Sequence, residues 1–199
     1  TKLKASQEIV HKENEYVDFK EQRLLPYFLS TQGPRIAIGD SNGDGIEDIY
    51  LGGSKGTAGS LWIQNTSGSF TKSEQNLFDQ DKIKEDVDAL FFDADNDGDL
   101  DLYVVSAGNE FSVNSNSVKD RMYFNNDGVF EKNKKLVEIN QHNSVVKNYD
   151  YDNDGDQDLF IGGRVIPGEY GISPKSYLLK NDGTGNFKID RIFNDLGMI

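Results

Sequence analysis

Residues 85–103 read EDVDALFFDADNDGDLDLY, two short apolar runs separated by a loop of alternating aspartates. The loop runs from Asp93 to Asp101 and fits the pattern D-x-[DN]-x-D-G-x-x-D. Its flanking runs are too short for helices and are rich in aromatic and β-branched residues, which is typical of strands. The stretch therefore predicts a strand, a tight acidic loop and a second strand.

The same pattern occurs in three places. Loop 1 (40–48) reads DSNGDGIED, loop 2 (93–101) reads DADNDGDLD and loop 3 (150–158) reads DYDNDGDQD. Because the loops begin at residues 40, 93 and 150, successive copies lie 53 and 57 residues apart. A period of this length, kept in the same frame, indicates a repeat protein.

The sequence around each loop repeats as well. Every loop has an apolar run before it, another directly after it, and a third farther along that leads into a glycine turn. Asn-Asp-Gly at 126–128 and at 181–183 predicts hairpins. Each unit thus predicts four short antiparallel strands, and their continuous apolarity predicts burial on both faces. A four-stranded sheet packed between copies of itself is a propeller blade, so the expected fold class is all-β.

The repeat also predicts how the chain divides. Residues 34–84, 85–141 and 142–191 are expected to form three blades, each with one acidic loop. Residues 1–33 are interpreted as a lead-in, a linker or the edge of a preceding blade, and 192–199 as a linker to a further blade. Because a closed propeller normally needs roughly four to eight blades, the chain is expected to be a segment of a larger propeller.

The composition disfavours several classes of protein. The chain has 199 residues, no Cys, and 34 acidic against 21 basic residues, for a net charge of −13. The lack of Cys excludes disulfides, thiolate metal sites and Cys nucleophiles, and the acidic excess disfavours nucleic acid as a partner. No apolar run approaches the roughly 18 residues of a membrane span. The histidines, His11 and His142, fit no Ser/His/Asp order, and no nucleophile elbow occurs.

The acidic loops predict metal sites. Carboxylates at alternate positions repel one another, so a short loop that holds them is costly unless a cation neutralises them. Side chains at positions 1, 3 and 5, the carbonyl of position 7 and the acid at position 9 can surround a hard cation, and glycine at position 6 allows the turn. Oxygen ligands favour Ca²⁺, with Mg²⁺ and Mn²⁺ as weaker candidates. The expected metal-site residues, for up to three Ca²⁺ ions, are Asp40, Asn42, Asp44, Ile46, Asp48, Asp93, Asp95, Asp97, Asp99, Asp101, Asp150, Asp152, Asp154, Asp156 and Asp158.

Two other interpretations of the loops fit less well. An EF-hand needs flanking helices and a Glu at position 12, but that position holds Leu51, Val104 and Ile161. Asp, Asn and Gly also favour turns that bind nothing, but three copies in one frame, each with an Asp at position 9, argue against this. Loop 1 has the weakest pattern, because Asn42 replaces an acid.

Over about residues 30–190 the repeats resemble FG-GAP/VCBS repeats, the calcium-loop blades of integrin α-subunit-type β-propellers. The stretch at 85–103 is particularly similar to bacterial VCBS proteins akin to cartilage acidic protein. The resemblance implies a usually seven-bladed propeller on a secreted or cell-surface protein, with Ca²⁺ between the first two strands of certain blades. The literal Phe-Gly and Gly-Ala-Pro spelling is absent, and only Gly33-Pro34 corresponds to it.

The leading hypothesis is a non-catalytic Ca²⁺-binding module that binds a protein or glycan at the cell surface, or serves as a scaffold, together with the remaining blades of its propeller. Loops between the second and third strands are expected opposite the metal loops, and variable loops on a rigid scaffold commonly carry recognition. The candidate ligand-contacting residues there are Asn109, Glu110, Phe111, Arg164 and Tyr170. The alternative is a propeller-type polysaccharide hydrolase or lyase, which would need paired carboxylates; Glu110 and Glu169 are the obvious loop acids.

Overall fold

The computed structural model describes residues 9–20, 23, 25, 28, 30, 33, 35–112, 114–166, 169 and 171–190. Within these residues, twelve strands form three four-stranded antiparallel sheets, each made of strands that are consecutive in the chain. Sheet 1 contains β1 (Ile36–Gly39), β2 (Asp48–Leu51), β3 (Ser60–Gln64) and β4 (Phe70–Lys72). Sheet 2 contains β5 (Glu85–Phe92), β6 (Asp101–Ala107), β7 (Arg121–Asn126) and β8 (Val129–Lys132). Sheet 3 contains β9 (His142–Tyr149), β10 (Asp158–Val165), β11 (Tyr177–Lys180) and β12 (Lys188–Ile189).

Helical structure in the described residues is limited to short 3-10 turns at Asp18–Lys20, Phe78–Asp81 and Asn116–Val118. None of the helical segments in this part of the chain has the length and apolarity that crossing a membrane requires. The predicted all-β fold with three four-stranded antiparallel sheets is therefore confirmed. The domain boundaries and the number of blades in a whole propeller stay predictions, and residues 192–199 lie outside the described residues.

Two apolar cores lie between the sheets. The first joins sheets 1 and 2, and its buried side chains include Ala37, Tyr50, Leu61, Ala89, Phe91, Leu102, Val104, Tyr123 and Phe130. The second joins sheets 2 and 3, and its buried side chains include Phe92, Tyr103, Val105, Met122, Val146, Leu159, Ile161, Leu179 and Phe187. Every residue of β6 is buried, because sheet 2 has a neighbour on each face. The predicted burial on both faces is thus found in this strand.

The outer sheets each bury one face more fully than the other. On β1, Ala37 is 4% exposed, whereas Ile36 and Ile38 on the opposite face are 52% and 59% exposed. On β10, Ile161 is fully buried and Phe160 is 36% exposed. Successive side chains of a strand point to opposite faces, so the exposed residues lie on the faces directed away from sheet 2. Continuous apolarity therefore overestimates burial in sheets 1 and 3.

A buried ion pair within sheet 2 lies at the end opposite the acidic loops, and its carboxylate is hydrogen-bonded to the first repeat. Arg121 at the start of β7 contacts Asp86 near the start of β5, and their side chains are 3% and 4% exposed. Asp86 Oδ2 also accepts hydrogen bonds from the Tyr50 hydroxyl at 3.0 Å and from Gly53 N at 2.9 Å, both in the first repeat. Although burial opposes it, the charge of Asp86 raises the pKa of Arg121. The Asp86 carboxylate therefore connects its own strand, β5, to β7 and to the first repeat.

Candidate metal centre

Each acidic loop connects the first two strands of its sheet through left-handed backbone. The glycines at position 6 of loops 2 and 3 have φ of 97° at Gly98 and 96° at Gly155, a region that costs most other residues roughly 1–2 kcal/mol. Position 4 is also left-handed, with φ of 61° at Asn96 and 60° at Asn153. Asparagine is one of the few residues that tolerate this conformation. The Asn-Asp-Gly run inside loops 2 and 3 therefore determines the turn, and its asparagine stands at position 4, which the pattern D-x-[DN]-x-D-G-x-x-D leaves unspecified.

The aspartate at position 9 holds its loop to the third strand of the same sheet. Asp101 is fully buried; its Oδ2 accepts from Ala94 N at 2.9 Å and its Oδ1 accepts from Asn125 N at 2.8 Å. The equivalent contacts link Asp48 to Ser41 N and Gln64 N, and Asp158 to Tyr151 N and Asn181 N. The sequence pattern predicts only a metal ligand at position 9, but the carboxylate also satisfies two backbone donors.

Loops 2 and 3 each bring three carboxylates together. One oxygen from each of Asp93, Asp95 and Asp101 lies within 4.8 Å of the others, and the same holds for Asp150, Asp152 and Asp158. These residues occupy positions 1, 3 and 9 of their loops. Two of the three predicted sites thus have acidic side chains close enough to share one cation.

Loop 2 also contains buried acceptors that lack donors. Asp93 Oδ1 and Asp95 Oδ1 are buried and have no hydrogen-bond partner among the described residues. A buried acceptor without a partner costs about 1–3 kcal/mol, and more for a charged group. Burial raises the pKa of Asp101 to about 7, and burial with the charge of Asp97 raises that of Asp95. A divalent cation would satisfy the free oxygens and favour the ionised carboxylates, so the residues present fit Ca²⁺.

Loop 1 closes through its own hydrogen bonds. Asp40 Oδ2 accepts from Gly45 N at 2.7 Å, and Asp44 Oδ2 accepts from the side-chain amide of Asn42 at 3.2 Å. Among the residues that the structure describes, loop 1 has no group of three acidic side chains that meets the separation found in loops 2 and 3. This agrees with its weaker sequence pattern, and a metal ion in loop 1 stays a prediction.

In loops 2 and 3 the side chain at position 7 accepts a hydrogen bond from outside its own loop. Asp99 Oδ2 accepts from Asp127 N at 2.7 Å, and Asp156 Oδ1 accepts from the side-chain amide of Asn96 at 2.7 Å, which links loop 3 to loop 2. In loop 1 this position is Ile46, which has no oxygen in its side chain. Position 7 is predicted to offer its backbone carbonyl to the metal, and these side-chain contacts are compatible with that role.

The aspartates at position 5 are hydrogen-bonded within their own loops. Asp97 Oδ1 accepts from Asp99 N at 2.9 Å and Asp154 Oδ1 accepts from Asp156 N at 3.1 Å.

Loops 1 and 2 are each attached to the following sheet by one asparagine. The side-chain amide of Asn125 donates to Ser41 O in loop 1 at 2.9 Å, and that of Asn181 donates to Ala94 O in loop 2 at 2.7 Å. By the Asn-Asp-Gly pattern, Asn126 and Asn181 are equivalent turn residues, but these contacts show that Asn125 is the structural equivalent of Asn181. The signal that could have found them is an asparagine close to the end of the third apolar run, since Asn125 follows Phe124 directly and Asn181 follows Leu179 after one residue.

Loop 3 differs from loop 2 because a lysine reaches it. Lys180 Nζ contacts Asp152 Oδ2 and lies 3.1 Å from Asp154 Oδ2. Its hydrogen bonds to Asp152 and Asp154 raise the pKa of Lys180 above the ordinary value, so the side chain is charged at neutral pH. A positive charge therefore lies among the carboxylates that are expected to bind the metal.

Four of the five predicted ligand-contacting residues are described and lie at the other end of the sheets, and two of them hold the N-terminal segment. The side-chain amide of Asn109 donates to Asp18 at 2.9 Å, and Glu110 Oε1 accepts from the side-chain amide of Asn14 at 2.6 Å. The ring of Phe111 lies 4.8 Å from the ammonium of Lys55. Arg164 lines a cavity of about 20 Å³ with Asn109 and His142, and Tyr170 lies outside the described residues. Their role in ligand binding stays a prediction.

The carboxyl of Glu85 lies near this end and predicts a pH dependence of stability. Glu85 is 3% exposed, and its Oε2 accepts from Lys55 N at 2.9 Å. Burial, with the negative charges of Glu110 and Glu13, raises the pKa of Glu85 from 4.5 to about 8. Between these values the unfolded chain releases a proton that the folded protein retains, so stability should be lost as pH rises through this window.

Glu85→Gln should flatten that loss by up to about 1.4 kcal/mol per pH unit, since glutamine keeps an acceptor for Lys55 and carries no charge. Urea unfolding in steps between about pH 5 and pH 8 measures the slope. Glu131→Gln, at an exposed position of β8, is the matched control and should leave the slope unchanged. A Glu85→Gln slope equal to that of the unsubstituted protein would contradict the assignment.

Comparison with known proteins supports the repeat assignment. Residues 27–104 match a family model described as FG-GAP-like repeat. The match contains loops 1 and 2 and reaches from sheet 1 into the second strand of sheet 2. No curated protein matches the chain. The chain therefore carries an FG-GAP-like repeat over residues 27–104, and its three four-stranded antiparallel sheets are consistent with propeller blades.

Proposed function

We propose that this chain is a non-catalytic, Ca²⁺-stabilised β-propeller segment of a secreted or cell-surface protein that binds a protein or glycan partner, or serves as a scaffold. The observation that carries the proposal is loop 2, where three aspartates converge and Asp93 and Asp95 each keep a buried oxygen without a donor among the described residues. The side chains of Asp93, Asp95, Asp97 and Asp101 would hold the ion, with the carbonyl of Asp99.

The ion would act mainly on stability. It would neutralise like charges in a loop that joins two strands, and it would hold that loop beside the third strand and the next sheet. Extracellular calcium modules bind with Kd values of about 10⁻⁴–10⁻³ M, so the sites would fill where Ca²⁺ is abundant.

Calcium should raise the melting temperature of the protein. At a Ca²⁺ concentration ten times Kd, each filled site adds about 1.4 kcal/mol to the free energy of unfolding, or roughly 3–6 °C in a domain of this size. The double substitution Asp93→Asn with Asp95→Asn should remove the part of this increase that loop 2 supplies. Differential scanning calorimetry with Ca²⁺ and with excess chelator, together with elemental analysis of the purified protein, makes the measurement.

The matched control is Asp79→Asn with Asp127→Asn, which removes two exposed acids outside the loops. It should keep the full calcium increment, because it leaves all expected ligands in place. The proposal fails if the melting temperature of the unsubstituted protein is the same with Ca²⁺ as with chelator and no calcium accompanies the protein.

A further inference from the structure

Loops 2 and 3 have the same five aspartates but different surroundings. Asn125 N and Asn181 N each lie 2.8 Å from the position 9 carboxylate of their own loop, so the residues before them, Phe124 and Lys180, occupy equivalent places. At this place beside the acidic loop, sheet 2 has the apolar ring of Phe124 and sheet 3 has the ammonium of Lys180. The difference between the two loops therefore comes from a single residue of the repeat.

The ammonium contacts the carboxylates that the metal would need. Asp152, at position 3, belongs to the group of three acids in loop 3 and contacts Lys180 Nζ. In loop 2 the residue at position 3 is Asp95, whose buried Oδ1 has no partner among the described residues. The lysine thus supplies in loop 3 a positive charge for which loop 2 has no counterpart among the described residues.

The side chain of Lys180 can move away from the loop 3 carboxylates without a change in the backbone. Its side chain is 44% exposed and has a flexible four-carbon stem, so the ammonium can move into water without unfolding the sheet. A divalent ion at loop 3 would repel the ammonium and compete with it for Asp152. Binding at loop 3 therefore includes the loss of existing ion-pair contacts, which binding at loop 2 does not.

We propose that Lys180 is a built-in competitor of the metal ion at loop 3, which makes loop 3 a weaker Ca²⁺ site than loop 2 and couples its occupancy to release of the lysine side chain. This inference rests on the proposed function, since it requires that the loops bind Ca²⁺. It predicts that the two loops fill in sequence as the Ca²⁺ concentration rises, with loop 2 first.

The test compares Lys180→Met with Lys180→Arg, each in the full chain carrying Asp93→Asn and Asp95→Asn so that the loop 2 site is removed. Isothermal titration calorimetry and competition with a chromophoric chelator measure the Kd for Ca²⁺. Lys180→Met should lower Kd about three- to ten-fold, because an ion pair of modest strength no longer has to break. Lys180→Arg keeps the positive charge, so its Kd for Ca²⁺ should stay close to that of the lysine form.

The control is Lys72→Met, which removes a lysine from the exposed edge of sheet 1 and changes net charge equally; its Kd should change less than about two-fold. In excess chelator, Lys180→Met should also melt at a lower temperature than the lysine form, because Asp152 and Asp154 lose their counter-ion. Lys180→Gln is a second neutral variant with a polar side chain, and it should repeat both effects.

The outcomes separate the two proposals. Equal Kd values for the lysine, methionine and glutamine forms would overturn the role of Lys180 and leave the proposed function standing. Absence of Ca²⁺ binding in these forms and in the protein with loop 2 intact would overturn the proposed function itself. A lower Kd in both neutral variants, with Lys72→Met unchanged, would support the assignment.

Discussion

Replacement of Asp101 by alanine is expected to lower the free energy of unfolding by about 3–5 kcal/mol, even in excess chelator. The carboxylate is fully buried and accepts hydrogen bonds from Ala94 N and Asn125 N. Alanine leaves both donors buried without this acceptor, at about 1–3 kcal/mol for each. Asp101 is therefore expected to stabilise the fold through these hydrogen bonds, in addition to its role as a metal ligand.

Asp99→Ala is the matched control, since it removes an acid from the same loop. Asp99 is not buried, and its side chain accepts one hydrogen bond from Asp127 N, so we expect a loss of about 1 kcal/mol or less. Asp101→Asn keeps one acceptor and should fall between the two. Urea unfolding in chelator compares the three variants. Equal stability of Asp101→Ala and Asp99→Ala would show that the position 9 carboxylate does not hold the fold together.

The strands and acidic loops could be predicted because their signals are local and repeated. Short apolar runs on both sides of D-x-[DN]-x-D-G-x-x-D identify strands and turn without knowledge of any distant contact. The convergence of Asp93 and Asp95 follows from spacing within one turn. The second role of Asp101 could not be predicted in this way, because its partner Asn125 lies 24 positions farther along, on another strand.

Other features of the site depend on how the sheets meet. The contact of Lys180 with loop 3 requires the register of β11 against β10, and no motif contains it. The amide of Asn125 reaches Ser41 in the preceding repeat, so its role exists only once two sheets are packed. The exposure of Ile36 and Ile38 likewise reflects which face of sheet 1 meets sheet 2, which an apolar run does not specify.

Arg121→Met should destabilise the protein by about 3–5 kcal/mol, because it leaves the charge of Asp86 buried without its cation. Both side chains are almost completely buried, so water cannot replace the lost partner. The double variant Arg121→Met with Asp86→Asn should recover part of the loss, since it removes the unpaired charge and asparagine can still accept from Tyr50. Lys135→Met, at an exposed position, should change stability by less than about 0.5 kcal/mol.

The dependence on Ca²⁺ distinguishes the loss of stability in Arg121→Met from the loss in Asp101→Ala. Asp86 lies seven residues before loop 2 on an extended strand, about 20 Å from it, so the two sites should act independently. The loss in Arg121→Met should therefore be the same in Ca²⁺ and in chelator, whereas the loss in Asp101→Ala should grow in Ca²⁺, because the ion stabilises only the protein that retains its ligand. A loss in Arg121→Met of less than about 1 kcal/mol, or no recovery in the double variant, would contradict the buried pair. If its loss changed with Ca²⁺, the packing of sheets 1 and 2 would be coupled to the metal loops, and the ion would stabilise contacts between sheets as well as its own turn.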